Sequence, residues 1–186
     1  MKLYIKNMVC NRCITAVERV FKDLNLEITA VALGEVETAE DLNSTELRKL
    51  DESLRESGFE ILEDSAHQLI EKVKNEIILL VDGLDIPEDF ILSKWISEKL
   101  NRDYSAVSKL FSQNENVTLE QYFILQKIEK VKELLLYDEF SLTEISGKLG
   151  YKSVQHLSSQ FKNVTGFTPS GFKKLKVKNR IPLDEI

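Results

Sequence analysis

Apolar positions along this chain repeat with two different periods, and the change of period divides it. Leu3 and Ile5 alternate with Lys2, Tyr4 and Lys6, the two-residue period of a short strand. Ile14, Val17, Val20, Phe21 and Leu24 follow at helical spacing. Residues 26–33 predict a second strand, and 34–37 open a weak third. Asn43 and Glu46 have the spacing of a capping box ahead of Leu47, Leu50 and Leu54. Gly58 stops that helix, and 59–62 predict a last strand.

The order over residues 1–64 is therefore β-α-β-β-α-β, the ferredoxin-like arrangement. From about Ser65 the helical period takes over. Leu69, Ile70, Val73, Ile77, Leu80 and Val81 line one predicted helix, closed by Gly83, so residues 65–83 read as a connecting helix. Pro87 with Glu88 and Asp89 suits a first helical turn. Thr118 with Gln121 predicts a capped start to a long helix through Leu119, Tyr122, Leu125, Ile128, Val131 and Leu135. Ser141 with Glu144 predicts another start, and Thr168-Pro169 an N-cap followed by a proline at the first helical position. The fold class expected is α+β, with a ferredoxin-like unit followed by an all-helical unit over 84–176 and a tail over 177–186.

The helical part contains a repeat. Ile96-Ser97-Glu98-Lys99-Leu100 matches Ile145-Ser146-Gly147-Lys148-Leu149 at an offset of 49, and Val107-Ser108 with Phe111 matches Leu157-Ser158 with Phe161 at an offset of 50. The second copy has gained one residue in its turn. Each copy is a helix, a short turn and a second helix with apolar anchors, the grammar of a helix-turn-helix. Leu100, Phe111, Leu149, Phe161 and Trp95 are expected to be packing residues. The helix between the copies, about 20 residues and roughly 30 Å long, is close to the roughly 34 Å between successive major-groove faces of a duplex.

With Gly150-Tyr151 in the second turn, then Phe161-Lys162, Gly166 and Pro169 in order, residues 87–176 resemble the DNA-binding domain of the AraC/XylS family of transcription regulators. The resemblance implies recognition helices over about 104–111 and 153–164 and a double-stranded DNA partner. It assigns base reading to Ser105, Ser108 and Lys109 in the first copy and to Val154, Gln155, Ser158 and Ser159 in the second. Their chemistry is serviceable: Lys109 can donate to guanine, Gln155 can pair with adenine through both amide atoms, and Val154 can touch a thymine methyl. Neither helix contains arginine, the stronger guanine reader. Serines discriminate less, which leaves room for readout through DNA shape and water.

Charge changes this picture in one place. The whole chain carries −6, which argues against a polyanionic partner. Residues 1–83 hold 10 basic and 17 acidic side chains, a balance of −7, whereas 84–186 hold 15 and 14, a balance of +1. No Asp or Glu lies between Glu144 and Asp184, while Lys148, Lys152, Lys162, Lys173, Lys174, Lys176, Lys178 and Arg180 all do. A purely basic stretch can neutralise phosphates locally, and equally it can be a solvated lysine face. Lys148, Lys152, Lys162, Lys173 and Lys174 are the phosphate-contact candidates, which position a protein rather than specify sequence. His156 reads as a surface or phosphate-contacting residue.

Met8-Val9-Cys10-Asn11-Arg12-Cys13 places the chain's two thiols between a strand and a helix. Two thiolates at this spacing can face each other across one soft ion, and sulfur ligands select Cu(I). A helix N-terminus and Arg12 favour the thiolate form. In its β-α-β-β-α-β setting the MxCxxC sequence resembles the heavy-metal-associated domain family over residues 1–64. The resemblance implies Cys10 and Cys13 as metal ligands, Met8 as buried support, and Phe59 as an aromatic that packs near the ion. Zinc would want four donors, and only His67 and His156 are present besides the thiols. A Cys10–Cys13 redox switch and a domain that binds nothing stay open. A thioredoxin-like enzyme does not fit so short a domain or the pair Asn11-Arg12.

No apolar run reaches the roughly 18 residues that cross a bilayer, and the first residues lack the pattern of a signal peptide. The sequence thus predicts a cytoplasmic, non-enzymatic transcription regulator responsive to Cu(I), with RNA polymerase and a second copy of the chain as further candidate partners. A copper metallochaperone or buffer, or a thiol redox-responsive regulator, is the alternative.

Overall fold

The computed structural model describes residues 1–175 and 180–186, so Lys176, Lys178 and the start of the expected tail lie outside the described residues. The chain divides into two compact units, Met1–Asn75 and Glu76–Ile186.

The first unit runs β1 (Lys2–Lys6), α1 (Asn11–Asp23), β2 (Ile28–Ala32), β3 (Glu35–Thr38), α2 (Ser44–Glu56) and β4 (Glu60–Ile61), then the first part of α3 (Ser65–Asp82). Among the described residues the strands form one small sheet in the order β2-β3-β1-β4, antiparallel at every pairing. Alternation in β1 turns Leu3 and Ile5 to one side. There they meet Val17 and Phe21 of α1 and Leu50 and Leu54 of α2, with Met8, Val36 and Phe59 completing the buried cluster. Asn43 starts α2 by accepting from the backbone of Thr45 and Glu46, while the Glu46 carboxylate accepts from Asn43 N at 2.9 Å. The β2–β3 turn passes through Gly34 at φ +76°, where a Cβ would lie 2.3 Å from the Asn75 amide nitrogen of α3. Glycine serves both the turn and the close approach.

The second unit holds the rest of α3, then α4 (Leu92–Leu100), α5 (Tyr104–Asn114), α6 (Leu119–Tyr137), α7 (Leu142–Lys148), α8 (Val154–Thr165), α9 (Pro169–Lys173) and a 3-10 turn at Leu183–Glu185. Helix α6 is its centre and contacts α5, α7, α8 and α9. That explains why its polar positions are buried as well as its apolar stripe: Gln126, Lys127, Glu129 and Lys132 are all inside. Each has an internal partner, as burial of polar groups demands. Gln126 donates to the Tyr122 hydroxyl at 2.9 Å, Lys132 pairs with Glu129, and the Lys127 ammonium lies 3.7 Å from the Tyr151 ring centre. Residues 180–186 return to the same helix, with Arg180 pairing to Glu133 at 2.8 Å and Ile181 N donating to Glu129 at 3.1 Å.

Two expectations are corrected here. Pro87 does not open a helix; α4 begins at Leu92 instead. Ile86 N donates to the Lys148 carbonyl and bridges Leu149, which keeps the segment extended, as the residue before a proline prefers. Leu100 is only partly buried, whereas its counterpart Leu149 is fully buried, because Leu149 lies beneath that bridging segment.

Candidate functional site

Helices α4–α5 and α7–α8 repeat one design. Ile96 and Ile145 anchor the first helices, Val107 and Leu157 the inner faces of the second, and Phe111 and Phe161 their far ends, all buried. Leu100 is separated from α5 by Asn101, Arg102 and Asp103, and Leu149 from α8 by Gly150, Tyr151, Lys152 and Ser153. This is the one-residue gain that the change of offset implied. Both turns use a left-handed residue, Asn101 at φ +50° and Gly150 at φ +66°.

The second helices differ at their starts. α5 is capped by Asp103, whose carboxylate accepts from Ala106 N at 3.1 Å. α8 is capped by the neutral Ser153, which accepts from His156 N at 3.1 Å. Of the residues assigned to base reading, Ser105, Lys109, Gln155 and Ser159 are exposed, and Ser108, Val154 and Ser158 are partly buried. Ser105 donates its hydroxyl to the Asp103 carboxylate. Tyr104 donates to Glu120 at the start of α6. Burial and the adjacent Glu120 carboxylate push the Tyr104 hydroxyl far above its ordinary pKa, so it remains a donor. Among the described residues, no hydrogen bond engages the side chains of Gln155, Ser158 or Ser159.

The phosphate-contact candidates separate in the same way. Lys152 in the turn, Lys162 on α8 and Lys174 after α9 are exposed. Lys173 is ion-paired with Asp138 at the end of α6, and the Lys148 ammonium sits 4.8 Å from the Phe140 ring centre. Sequence reasoning missed the polar ties of the first motif, although an Asp two residues before Ser105 was a visible sign. It also missed Tyr151 as a framework residue. Tyr151 donates to Gln160 at 2.8 Å, covers Lys127, and meets the His156 ring edge-on at 5.4 Å. Nothing in the local pattern signals a lysine under that ring.

In the first unit, Cys10 is the N-cap of α1, and its Sγ lies 3.6 Å from that of Cys13, both thiols partly buried. Burial raises the Cys10 thiol, but the Cys13 backbone N–H and thiol outweigh it and hold the pKa below the ordinary value. Burial and the neighbouring Cys10 push Cys13 up. The two thiols are thus made unequal, with Cys10 the more readily ionised of the pair. Met8 is fully buried in the core and Phe59 nearly so. Asn7, at φ +70°, donates its backbone N–H to the buried Glu71 of α3 at 2.9 Å and its amide to Gly58 O at 3.0 Å. His67 is paired with Asp64. Among the described residues, no group of three or more His, Cys, Asp or Glu could hold a metal ion. The donor set is thus two sulfurs, which fits a soft ion of low coordination number and not a four-donor zinc site.

Comparison with known proteins bears on the second unit. A family model described as a helix-turn-helix domain matches residues 96–175. The Msm operon regulatory protein of Streptococcus mutans is 32% identical over 79 residues, 42% of this chain and 28% of that protein. The xylose operon regulatory protein of Haemophilus influenzae is 31% identical over 78 residues, 42% of this chain and 20% of that protein. The chain thus spans less than a third of the length of either. The C-terminal domain of AraT, a response regulator from Geobacillus stearothermophilus, shares the fold at a TM-score of 0.50 and 22% identity, over 61% of this chain and 87% of that one. Residues 96–175 therefore carry a helix-turn-helix domain. Among the described residues, no helix is long and apolar enough to cross a membrane.

Proposed function

We propose that this chain is a non-enzymatic, sequence-specific DNA-binding transcription regulator of the cytoplasm that responds to a soft metal ion, Cu(I), held by Cys10 and Cys13. The observation that carries the DNA reading is the pair of like-built motifs at either end of α6. The second presents exposed Gln155 and Ser159 on a helix followed and preceded by lysines. At 19 residues α6 is about 28 Å long, comparable to one turn of duplex. Gln155 suits adenine, Val154 a thymine methyl, and Lys152, Lys162 and Lys174 suit phosphates. RNA polymerase and a second copy of the chain are the natural further partners of such a regulator.

For the first unit, the strand order β2-β3-β1-β4 and the thiol pair after β1 support a ferredoxin-like, heavy-metal-associated module. When bound, Cu(I) supplies a soft crosslink between two thiolates. The chain's own contribution is to lower the pKa of Cys10 at the start of α1 and to tie the preceding loop to α3 through Asn7 and Glu71. Regulation requires that the ion favour one state of the chain over another, by the difference in its affinity for the two.

The test is selection of bound duplex from a random library, followed by affinity measurements with and without Cu(I), on the wild type and on Cys10→Ser/Cys13→Ser. Cu(I) uptake is read in parallel by competition with a chromogenic chelator. The expected result is chelator-competed Cu(I) binding, a shift in DNA affinity of roughly 5–150-fold, and loss of both in the serine variant. No enriched sequence would sink the DNA reading; identical affinities throughout would sink the metal reading. The 3.6 Å approach of the two sulfurs also favours a second reading, oxidation to a disulfide. There a thiol oxidant, and not Cu(I), would shift the affinity.

A further inference from the structure

The two motifs are alike in build and unlike in electrostatics, and the difference is concentrated where a second helix would first meet a duplex. The start of a helix carries partial positive charge and unpaired N–H groups, which makes it a natural neighbour for phosphate. In α8 nothing opposes that. Its cap is the neutral Ser153, Lys152 precedes it and Lys162 lies in its last turn, and no acid occurs between Glu144 and Asp184. In α5 the same position is held by the carboxylate of Asp103, which takes up Ala106 N and the Ser105 hydroxyl. A second carboxylate, Glu120, accepts from the Tyr104 hydroxyl. Lys109 is the lone cation within α5. Of the three side chains that resemblance assigns to base reading in this motif, Ser105 is thus engaged inside the protein and Ser108 is partly buried, next to two negative charges.

We infer, on the footing of the DNA-binding reading above, that the motifs divide recognition unequally. Helix α8 specifies the sequence, and α5 adds one phosphate or base contact through Lys109 while Asp103 and Glu120 hold its first turn away from the backbone of the duplex. The preferred site is therefore lopsided, with one well-specified block of base pairs beneath α8 and a poorly specified neighbour beneath α5. Asp103 and Glu120 act as specificity-determining residues by exclusion, since like charge across an interface suppresses contact.

Selection from a random duplex library with the full chain tests this directly, followed by affinities on the enriched sequence. The wild type is expected to yield one strong block. Gln155→Ala is expected to weaken binding by roughly tenfold or more and to erase one position of that block, and Lys109→Ala by less than about threefold. In Asp103→Ser/Glu120→Gln, serine still caps α5 and glutamine still accepts from Tyr104, so the fold is kept. That variant is expected to bind roughly fivefold tighter, with a steeper salt dependence and information appearing in the second block. Two blocks of equal strength in the wild type, Lys109→Ala as costly as Gln155→Ala, or a double variant that binds no tighter would each overturn the inference. Failure to enrich any sequence would instead remove the DNA-binding reading, and this inference with it.

Discussion

Lys127 is the residue at which burial and charge most clearly conflict. It is only 7% exposed, on a helix surrounded by others, and desolvation lowers its pKa to about 8. The Tyr151 ring at 3.7 Å and the Phe123 ring at 5.3 Å offset part of that cost by cation–π attraction. The sign of the pH effect follows. Below about pH 8 both folded and unfolded chains hold the proton, and the cost of burying the charge is fully present. Between about 8 and the ordinary lysine value near 10.4, the unfolded chain binds the extra proton, so this group makes stability rise with pH. Tyr104 and Tyr151, both pushed up by burial, act in the opposite sense only above about pH 10. Lys127→Met is thus expected to be more stable by about 1–3 kcal/mol at pH 7. Its advantage should shrink by pH 9.5 in urea denaturation curves; parallel curves for the two proteins across that range would refute this account.

At the scale of elements, the second turn is the most constrained piece of the molecule. Gly150 has φ +66°, and a Cβ there would lie 2.7 Å from both Ile86 Cγ2 and the Pro87 carbonyl oxygen. Backbone cannot step aside cheaply, so Gly150→Ala is expected to cost about 2–4 kcal/mol, from left-handed strain plus the collision. Chemical denaturation of the full chain reads this, and a cost under about 0.5 kcal/mol would mean the turn is not held as described. Why the turn needs Ile86 was not legible in the sequence. Capping is local, so the boxes at Asn43–Glu46 and Ser141–Glu144 could be read from spacing alone, and both form. Only half of the one expected at Thr118 forms, with Thr118 accepting from Gln121 N. Pro87 misled because the partner that keeps its segment extended lies some sixty residues away, at Lys148 and Leu149. The apolar stripe of α6 could be read, but a stripe reports one face, and it takes the packing of four neighbours to bury Lys127, Glu129 and Lys132 as well. The repeat fixed which residues anchor each motif, whereas the capture of Ser105 by Asp103 depended on side-chain geometry.

For the whole molecule, a net charge of −6 means that any polyanion is met by local charge against an unfavourable total. Among the phosphate-contact candidates, Lys173 already answers Asp138 and Lys148 is half-buried beside Phe140, which leaves Lys152, Lys162 and Lys174 as the exposed candidates, unpaired among the described residues. Few contacts give a shallow salt dependence, on the order of 0.9 in the logarithmic slope for each phosphate neutralised. Lys152→Ala is expected to weaken binding to every duplex alike and to flatten that slope by about one, in titrations between 50 and 200 mM salt. A loss confined to one base pair would mean that Lys152 reads sequence. The strip at Ile86 and Pro87 matters at this scale too. It lies upstream of the segment, 96–175, over which the helix-turn-helix family is matched, yet it roofs the second turn. A fragment trimmed to the matched borders would be born without its keystone, and whoever dissects this chain should cut before Leu84.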